Sequence, residues 1–301
     1  MFAADKNDSL DTALAVLPER IARSIARCMP EKPVEEIRLR VARPVQIVTA
    51  DGEFFPESAA FTAEEAARLL ERLCMHSVYA HTEELKNGFV TLPGGARVGV
   101  CGRPAVDNGT IIGLTEAHCF NFRIARQVVG CAEGVMRFLL NCGEPVSALI
   151  VSPPGGGKTT LLRDIARCLS EGVSAPPVKV AIADERGELA GCIGGTPSFD
   201  IGRRTDVMEN APKAQSIGLL IRSMSPRVII TDELGGRDDA EAVAEACRCG
   251  AAVIASAHAS SVEELIAKHE SSWLFGSGGV FKRALLIRRA GSKLHVSCAS
   301  V

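Results

Sequence analysis

Residues 152 to 160 read SPPGGGKTT, and they lie between an apolar run, SALIVS, and a helical one, LLRDIARCL. Three consecutive glycines free the backbone to close its N–H groups around a phosphate, and the Lys and hydroxyl residues that follow open a helix whose positive end faces the same anion. That order of strand, glycine loop and helix leaves little room for any fold but an α/β sheet with a phosphate loop at the C-terminal edge of a buried strand. Pro154, Gly155, Gly156, Gly157, Lys158, Thr159 and Thr160 form the cradle. Lys158 is expected to reach the β- and γ-phosphates of ATP, and Thr159 to hold Mg²⁺. The usual pattern begins with glycine, and this chain has Ser152 in that place, which alters the turn into the loop.

The rest of the C-terminal half agrees with such a sheet. SALIVS, VKVAIAD, RVIITDE and AAVIASA are apolar runs of strand length without clean alternation, the pattern of parallel strands buried on both faces. RVIIT delivers Asp232 and Glu233 to the edge where open α/β sheets bind ligands. Asp232 is expected to hold Mg²⁺ through water, and Glu233 to orient or deprotonate the attacking water. VKVAIA ends in Asp184-Glu185-Arg186, of which Glu185 is the second candidate base, and AAVIA ends in Ser256-Ala257-His258, where His258 could sense the γ-phosphate. Arg203, Arg204 and Arg222 are candidates for stabilising transition-state charge.

The N-terminal half reads differently. Apolar residues from Leu10 to Met29 keep helical spacing and predict one helix, followed by the alternating runs EIRLRV and PVQIVTA. Thr62 and Glu65 form a capping box ahead of AARLLERLCM. The turn signals Asn87-Gly88, Gly94-Gly95 and Asn108-Gly109 separate FVTL, ARVGVCG, TIIGLT and FNFRIA as strands of a meander, with Arg123 and Arg126 on opposite faces of the last. The expected organisation is a smaller α+β domain over 1–128, a linker helix over 129–144 containing AEGVMRFLL, and an α/β domain over 145–301 with a closing hairpin around Gly291.

Composition narrows the function classes. The net charge is −2 and neither half has a basic surplus, so no nucleic-acid partner is expected. The 11 cysteines are odd in number and include no Cys-x-x-Cys, which favours reduced thiols over a disulfide or zinc framework. No apolar run reaches about 18 residues and the N-terminus lacks a secretory pattern. A cytoplasmic location is expected, with any membrane contact made through partners.

Two resemblances add to this reading. IRSMSPRVIITDELGG and EACRCGAAVIASAHASSVEEL resemble the Arg-containing approach to the acidic strand and the histidine box of the secretion ATPase superfamily of type II and type IV systems. That implies a RecA-like P-loop ATPase domain in which Arg222, Glu233 and His258 act on the nucleotide; the superfamily often has glycine where this chain has Asp232. The blocks EEIRLRVARPVQIV, GFVTLPGGARVGVCGR, FNFRIARQVVG, PPGGGKTTLLRDIAR, ADERGELAG, IGRRTDVM and PKAQSIGLLIRSMSP are similar to the stage III sporulation protein AA family of endospore-forming bacteria. This second resemblance implies a mother-cell ATPase, a homohexamer, serving membrane proteins of the channel complex between mother cell and forespore. A nucleotide-gated scaffold with little turnover and a nucleic-acid motor are the alternatives.

Overall fold

Pro18 divides what the apolar spacing predicts as one helix. In the computed structural model α1 (Asp8–Val16) stops before it and α2 (Glu19–Arg27) begins after it. Proline has no N–H to continue the first helix, while its carbonyl accepts from Ile21 N and Ala22 N at 2.9 and 3.0 Å and starts the second. The structure describes residues 8–29, 33–49, 51–57, 60–75, 82–92, 94–267, 279–290 and 293–300. The chain divides into two units, Met1–Arg126 and Gln127–Val301.

The first unit continues with β1 (Val34–Arg40), β2 (Gln46–Thr49), β3 (Gly52–Phe54), α3 (Ala63–Leu73), α4 (Thr82–Lys86), β4 (Phe89–Thr91), β5 (Arg97–Asp107) and β6 (Thr110–Arg123). Its antiparallel sheet has the order β3-β2-β1-β6-β5-β4, and alternate residues such as Ile37, Leu39, Val98, Val100, Phe120 and Phe122 are buried in the core with the apolar faces of α1 to α3. The capping box forms as expected, with Glu65 N donating to Thr62 Oγ1 at 3.2 Å and Thr62 N to Glu65 Oε2 at 3.0 Å. Two expectations are corrected. TIIGLT and FNFR are one strand, because β5 absorbs the change of register through bulges at Cys101/Gly102, Arg103/Pro104 and Ala105/Val106; the three turn signals hold, with Gly88, Gly94, Gly95, Asn108 and Gly109 all at positive φ. Since β6 ends at Arg123, Arg126 is not on the strand and alternation does not set its direction.

The second unit opens with α5 (Met136–Leu139), β7 (Leu140–Asn141) and β8 (Glu144–Pro145). The linker helix is thus corrected to a four-residue helix and a small hairpin, since Asn141-Cys142-Gly143 turns the chain back through positive φ at Cys142 and Gly143. After these come β9 (Ala148–Ser152), α6 (Lys158–Glu171), β10 (Val180–Asp184), β11 (Thr205–Glu209), α7 (Lys213–Met224), β12 (Val228–Glu233), α8 (Arg237–Arg248), β13 (Ala252–His258), α9 (Val262–Ala267), β14 (Arg283–Ala290) and β15 (Lys293–Ser300). The sheet order is β11-β10-β12-β13-β9-β14-β15, parallel from β11 to β14 and antiparallel only at β15. All four runs read as buried strands are strands. β11 is absent from the sequence reading because TDVME is a half-exposed edge strand with two acidic residues. The closing hairpin pairs Ala290 with Lys293, and its turn at Gly291 lies outside the described residues.

This order places one crevice. From β9 the chain crosses over to β10 on one side, whereas from β13 it passes to β14 on the other, so the connections diverge between β9 and β13. Ligands of open α/β sheets bind at such a point, beyond the C-terminal ends of the strands. Among the described residues, no helix is long and apolar enough to cross a membrane.

Candidate active site

The loop after β9 closes because each of its glycines is needed. Gly155 and Gly157 have φ of 74° and 87°, which only glycine adopts without strain. A Cβ on Gly156 would lie 2.3 Å from Ser152 Oγ. Ser152 is therefore accommodated at the start of the loop by the absence of a side chain at Gly156, and its hydroxyl, fully buried, donates to Pro153 O at 2.9 Å. Gly157 caps α6 with no side-chain hydrogen bond, which leaves the first N–H groups of the helix for an anion, while within the loop Gly156 N donates to Pro153 O at 3.3 Å. Thr159 and Thr160 are half-buried in that first turn.

Register brings the remaining groups to Lys158. β13 pairs His258 with Ser152 and β12 pairs Glu233 with Ser256, so the last residues of β9, β13 and β12 stand side by side. Lys158 Nζ lies 2.8 Å from His258 Nδ1 and donates to Ser152 O and Pro153 O at 3.1 and 3.3 Å. His258 Nε2 lies 3.3 Å from Glu233 Oε2. An ammonium only donates, so Nδ1 accepts and the imidazole proton is on Nε2, aimed at Glu233. The result is a line of Lys158, His258 and Glu233. Burial pushes the Lys158 ammonium down to about 8, against the pull of Glu233.

Asp232 is 6% exposed and carries the signature of an unfinished site. Lys213 Nζ is 3.0 Å from its Oδ1, yet the contact lacks hydrogen-bond geometry and that buried oxygen has no hydrogen-bond donor. A carboxylate oxygen with a spare lone pair suits a magnesium-bound water, with Thr159 as the hydroxyl ligand. Among the described residues no three His, Cys, Asp or Glu side chains converge on a metal position, so most ligands would come from phosphate and water.

The acidic cluster after β10 divides into two roles. Asp184 is fully buried and accepts from the backbone N–H groups of Glu188, Leu189 and Ala190 at 2.9, 3.0 and 2.8 Å. Burial raises its carboxyl to about 6, although those donors pull the other way. Arg163 of α6 holds the same loop by its opposite polarity, donating to Leu189 O and Glu188 O at 2.8 and 2.7 Å with its guanidinium 3.6 Å over the Phe199 ring. Glu185 is exposed and 3.7 Å from Lys213, while Arg186 is 3.6 Å from Glu233 Oε2.

Lys158, Glu233, His258, Asp232 and Glu185 thus meet at one sheet edge, and the three arginines do not join them within the chain. Arg203 pairs with Glu171 at 3.0 Å and Arg204 with Ser170 O at 2.8 Å. Both lie at the far end of α6, a 14-residue helix that spans roughly 20 Å at about 1.5 Å per residue. Arg222 is exposed in the last turn of α7, the end that leads into the start of β12. The residue missed in the sequence is Lys213, first in α7. A lysine at a helix N-terminus opposes the helix dipole, and that misfit was the available signal.

A family profile described as Sporulation stage III, protein AA matches residues 6–298. Stage III sporulation protein AA of Bacillus subtilis (strain 168) is 43% identical over 279 residues, covering 91% of this chain and 90% of that protein. Among solved structures, the ATPase DotB of Legionella pneumophila superposes with a TM-score of 0.59 at 16% identity, over 88% of this chain and 76% of DotB. The pilus retraction motor PilT, solved with bound ADP, superposes with a TM-score of 0.57 at 15% identity, over 92% and 82%. At these identities the structural likeness shows a shared fold alone. With a profile match along nearly its whole length and a relative of such identity, the chain belongs to the stage III sporulation protein AA family.

Proposed function

We propose that the chain hydrolyses ATP with Mg²⁺ and that it powers or assembles a membrane-associated, secretion-like channel between mother cell and forespore. The observation that carries this reading is the Lys158–His258–Glu233 line beside the glycine loop. The loop N–H groups and Lys158 would hold the phosphates, the ammonium exchanging loop carbonyls and His258 for phosphate oxygens. Glu233 would orient the attacking water and take its proton as the bond to the γ-phosphorus breaks toward ADP. His258 would keep Glu233 aimed through Nε2–H while its Nδ1 faces the exchange. Thr159 and Asp232 would hold Mg²⁺, which would supply charge neutralisation to the phosphates. Glu185 is the alternative base.

Glu233→Gln is expected to bind ATP like the parent and to lose turnover by about 10²-fold or more, because it keeps the hydrogen bonds but not the base. Labelled ATP retained uncleaved on the variant would bear this out, and unchanged turnover would move the base to Glu185. Affinity should also depend on pH. The Lys158 ammonium, held near 8 by burial, is present below that pH and lost above it, so nucleotide affinity should fall as pH rises past about 8. A fluorescent-nucleotide titration that is flat from about pH 7 to 9.5 would remove the lysine from phosphate binding.

Activity should need neighbours. Arg163 and Arg167 are committed to Glu188/Leu189 carbonyls and to Asp164, so no arginine of α6 is available for the γ-phosphate. We place the missing cation on an adjacent copy in a homohexamer, with Arg203, Arg204 and Arg222 as candidates, and such an arginine can be worth about 10³–10⁵ in rate. The membrane proteins of the channel complex would be the other partners, holding a cytoplasmic protein at the membrane.

A further inference from the structure

Asp184 ends β10 with Glu185 next to it, and Asp232 and Glu233 end the neighbouring β12. Carboxylates crowded in this way either gather a divalent cation or hold protons. Here the chain supplies a cation of its own. Lys213 is 2% exposed, and its ammonium sits among three oxygens: Asp232 Oδ1 at 3.0 Å, Glu185 Oε2 at 3.7 Å and the backbone carbonyl of Glu233, to which it donates.

Helix stability does not account for this lysine. It is the first residue of α7, the end where a cation opposes the helix dipole, and the first turn of that helix has no acidic residue and no side-chain cap. A buried ammonium is costly unless paired, and among the described residues those three oxygens pair it. Asp232 Oδ1, meanwhile, stays without a hydrogen-bond donor. The ion pair neutralises the carboxylate without saturating it.

We infer that Lys213 is a resident counter-ion that occupies the three-oxygen position between Asp232, Glu185 and the Glu233 carbonyl, and thereby prevents a free divalent cation from binding until a nucleotide brings one. This rests on Asp232 being the metal-side carboxylate of the proposed ATPase. Lys213 is then a positioning residue. It offsets the charge of Asp232 and keeps that carboxylate aimed, so that metal entry depends on the extra ligands of the phosphates. Glu185 acquires a role as well, as the second anchor of the ammonium.

Mn²⁺ replaces Mg²⁺ as the probe, and its free signal is followed by electron paramagnetic resonance with the full chain. Without nucleotide the parent should take up no stoichiometric Mn²⁺, and with ATP it should take up one per chain. Lys213→Ala opens the three-oxygen position and should bind Mn²⁺ without nucleotide at least about tenfold more tightly than the parent, with a rise in melting temperature on adding Mn²⁺ that the parent lacks. Lys213→Arg should behave as the parent does. A nucleotide-free parent that binds Mn²⁺ as tightly as with ATP, or a folded Lys213→Ala that gains no Mn²⁺, would overturn the inference. If Lys213→Ala does not fold, Lys213→Ala with Glu185→Gln, which leaves one unpaired charge fewer, is titrated in its place, and the parent comparison stands alone as a test. Labelled ATP binding is measured separately. Its failure would sink the nucleotide reading, while the nucleotide-free metal titrations would still decide the role of Lys213.

Discussion

Lys158→Ala is expected to leave the fold intact and to weaken ATP binding by about 100-fold or more. Hydrogen bonds to charged groups contribute about 1.5–3 kcal/mol each, and in the proposed function the ammonium would make more than one to the β- and γ-phosphates. No other cation of the loop or of α6 can take over. Arg163 is buried against Phe199 and the Glu188 and Leu189 carbonyls, and Arg167 is paired with Asp164 at 2.6 Å. Stability should barely change, since burial works against the charged Lys158 and truncation relieves that cost. Titration with labelled ATP beside a melting curve separates the two effects. Binding by Lys158→Ala as tight as by the parent would show that residues 152 to 160 do not form a phosphate loop.

The second large effect is on stability, at Asp184. Asp184→Ala leaves the N–H groups of Glu188, Leu189 and Ala190 without their acceptor, in surroundings where water does not replace it. Each orphaned buried donor costs about 1–3 kcal/mol, so the variant should lose about 3 kcal/mol or more. For a domain of this size about 1 kcal/mol moves the melting temperature by about 2–4 °C, and a fall of roughly 6–12 °C is expected. Asp184→Asn keeps one acceptor oxygen and should lie between. A fall of less than about 2 °C in Asp184→Ala would mean that the loop holds itself. The loop carries Glu185 and Arg186, so its loosening should also lower activity.

Both predictions concern residues that the sequence shows unequally. The phosphate loop is legible because its chemistry is local: glycines, lysine and hydroxyl residues fall within nine consecutive positions between a strand and a helix. Asp232, Glu233 and His258 are legible for a related reason, since each ends an apolar run and the ends of parallel strands share one edge. Which carboxylate does what is not legible. Asp184 and Glu185 are neighbours in sequence, and only the turn after β10 decides that Asp184 points inward to gather three N–H groups while Glu185 faces Lys213.

Lys213 escapes notice because its partners lie 28, 19 and 20 positions away, at Glu185, Asp232 and Glu233, and such contacts leave no periodic pattern. The arginines are the converse case. Arg203, Arg204 and Arg222 have the right chemistry, but within one chain α6 and α7 place them at the opposite edge of the sheet from Lys158. Among the elements, the four buried strands and the capping box were readable from apolar runs and Thr62/Glu65. The break at Pro18, the merged β6 and the edge strand β11 depended on bulges, a missing N–H and partial exposure, which apolar spacing does not report.

The most direct test of the ATPase reading is a single-turnover experiment with labelled ATP and Mg²⁺ over a range of protein concentrations, with mass followed by light scattering. The parent is expected to convert bound ATP to ADP and phosphate at a rate per chain that rises as oligomers form. Lys158→Ala should bind no ATP, and Glu233→Gln should hold it uncleaved. A parent that binds ATP and forms oligomers but yields no ADP at any concentration would contradict the account and leave a nucleotide-gated scaffold in its place.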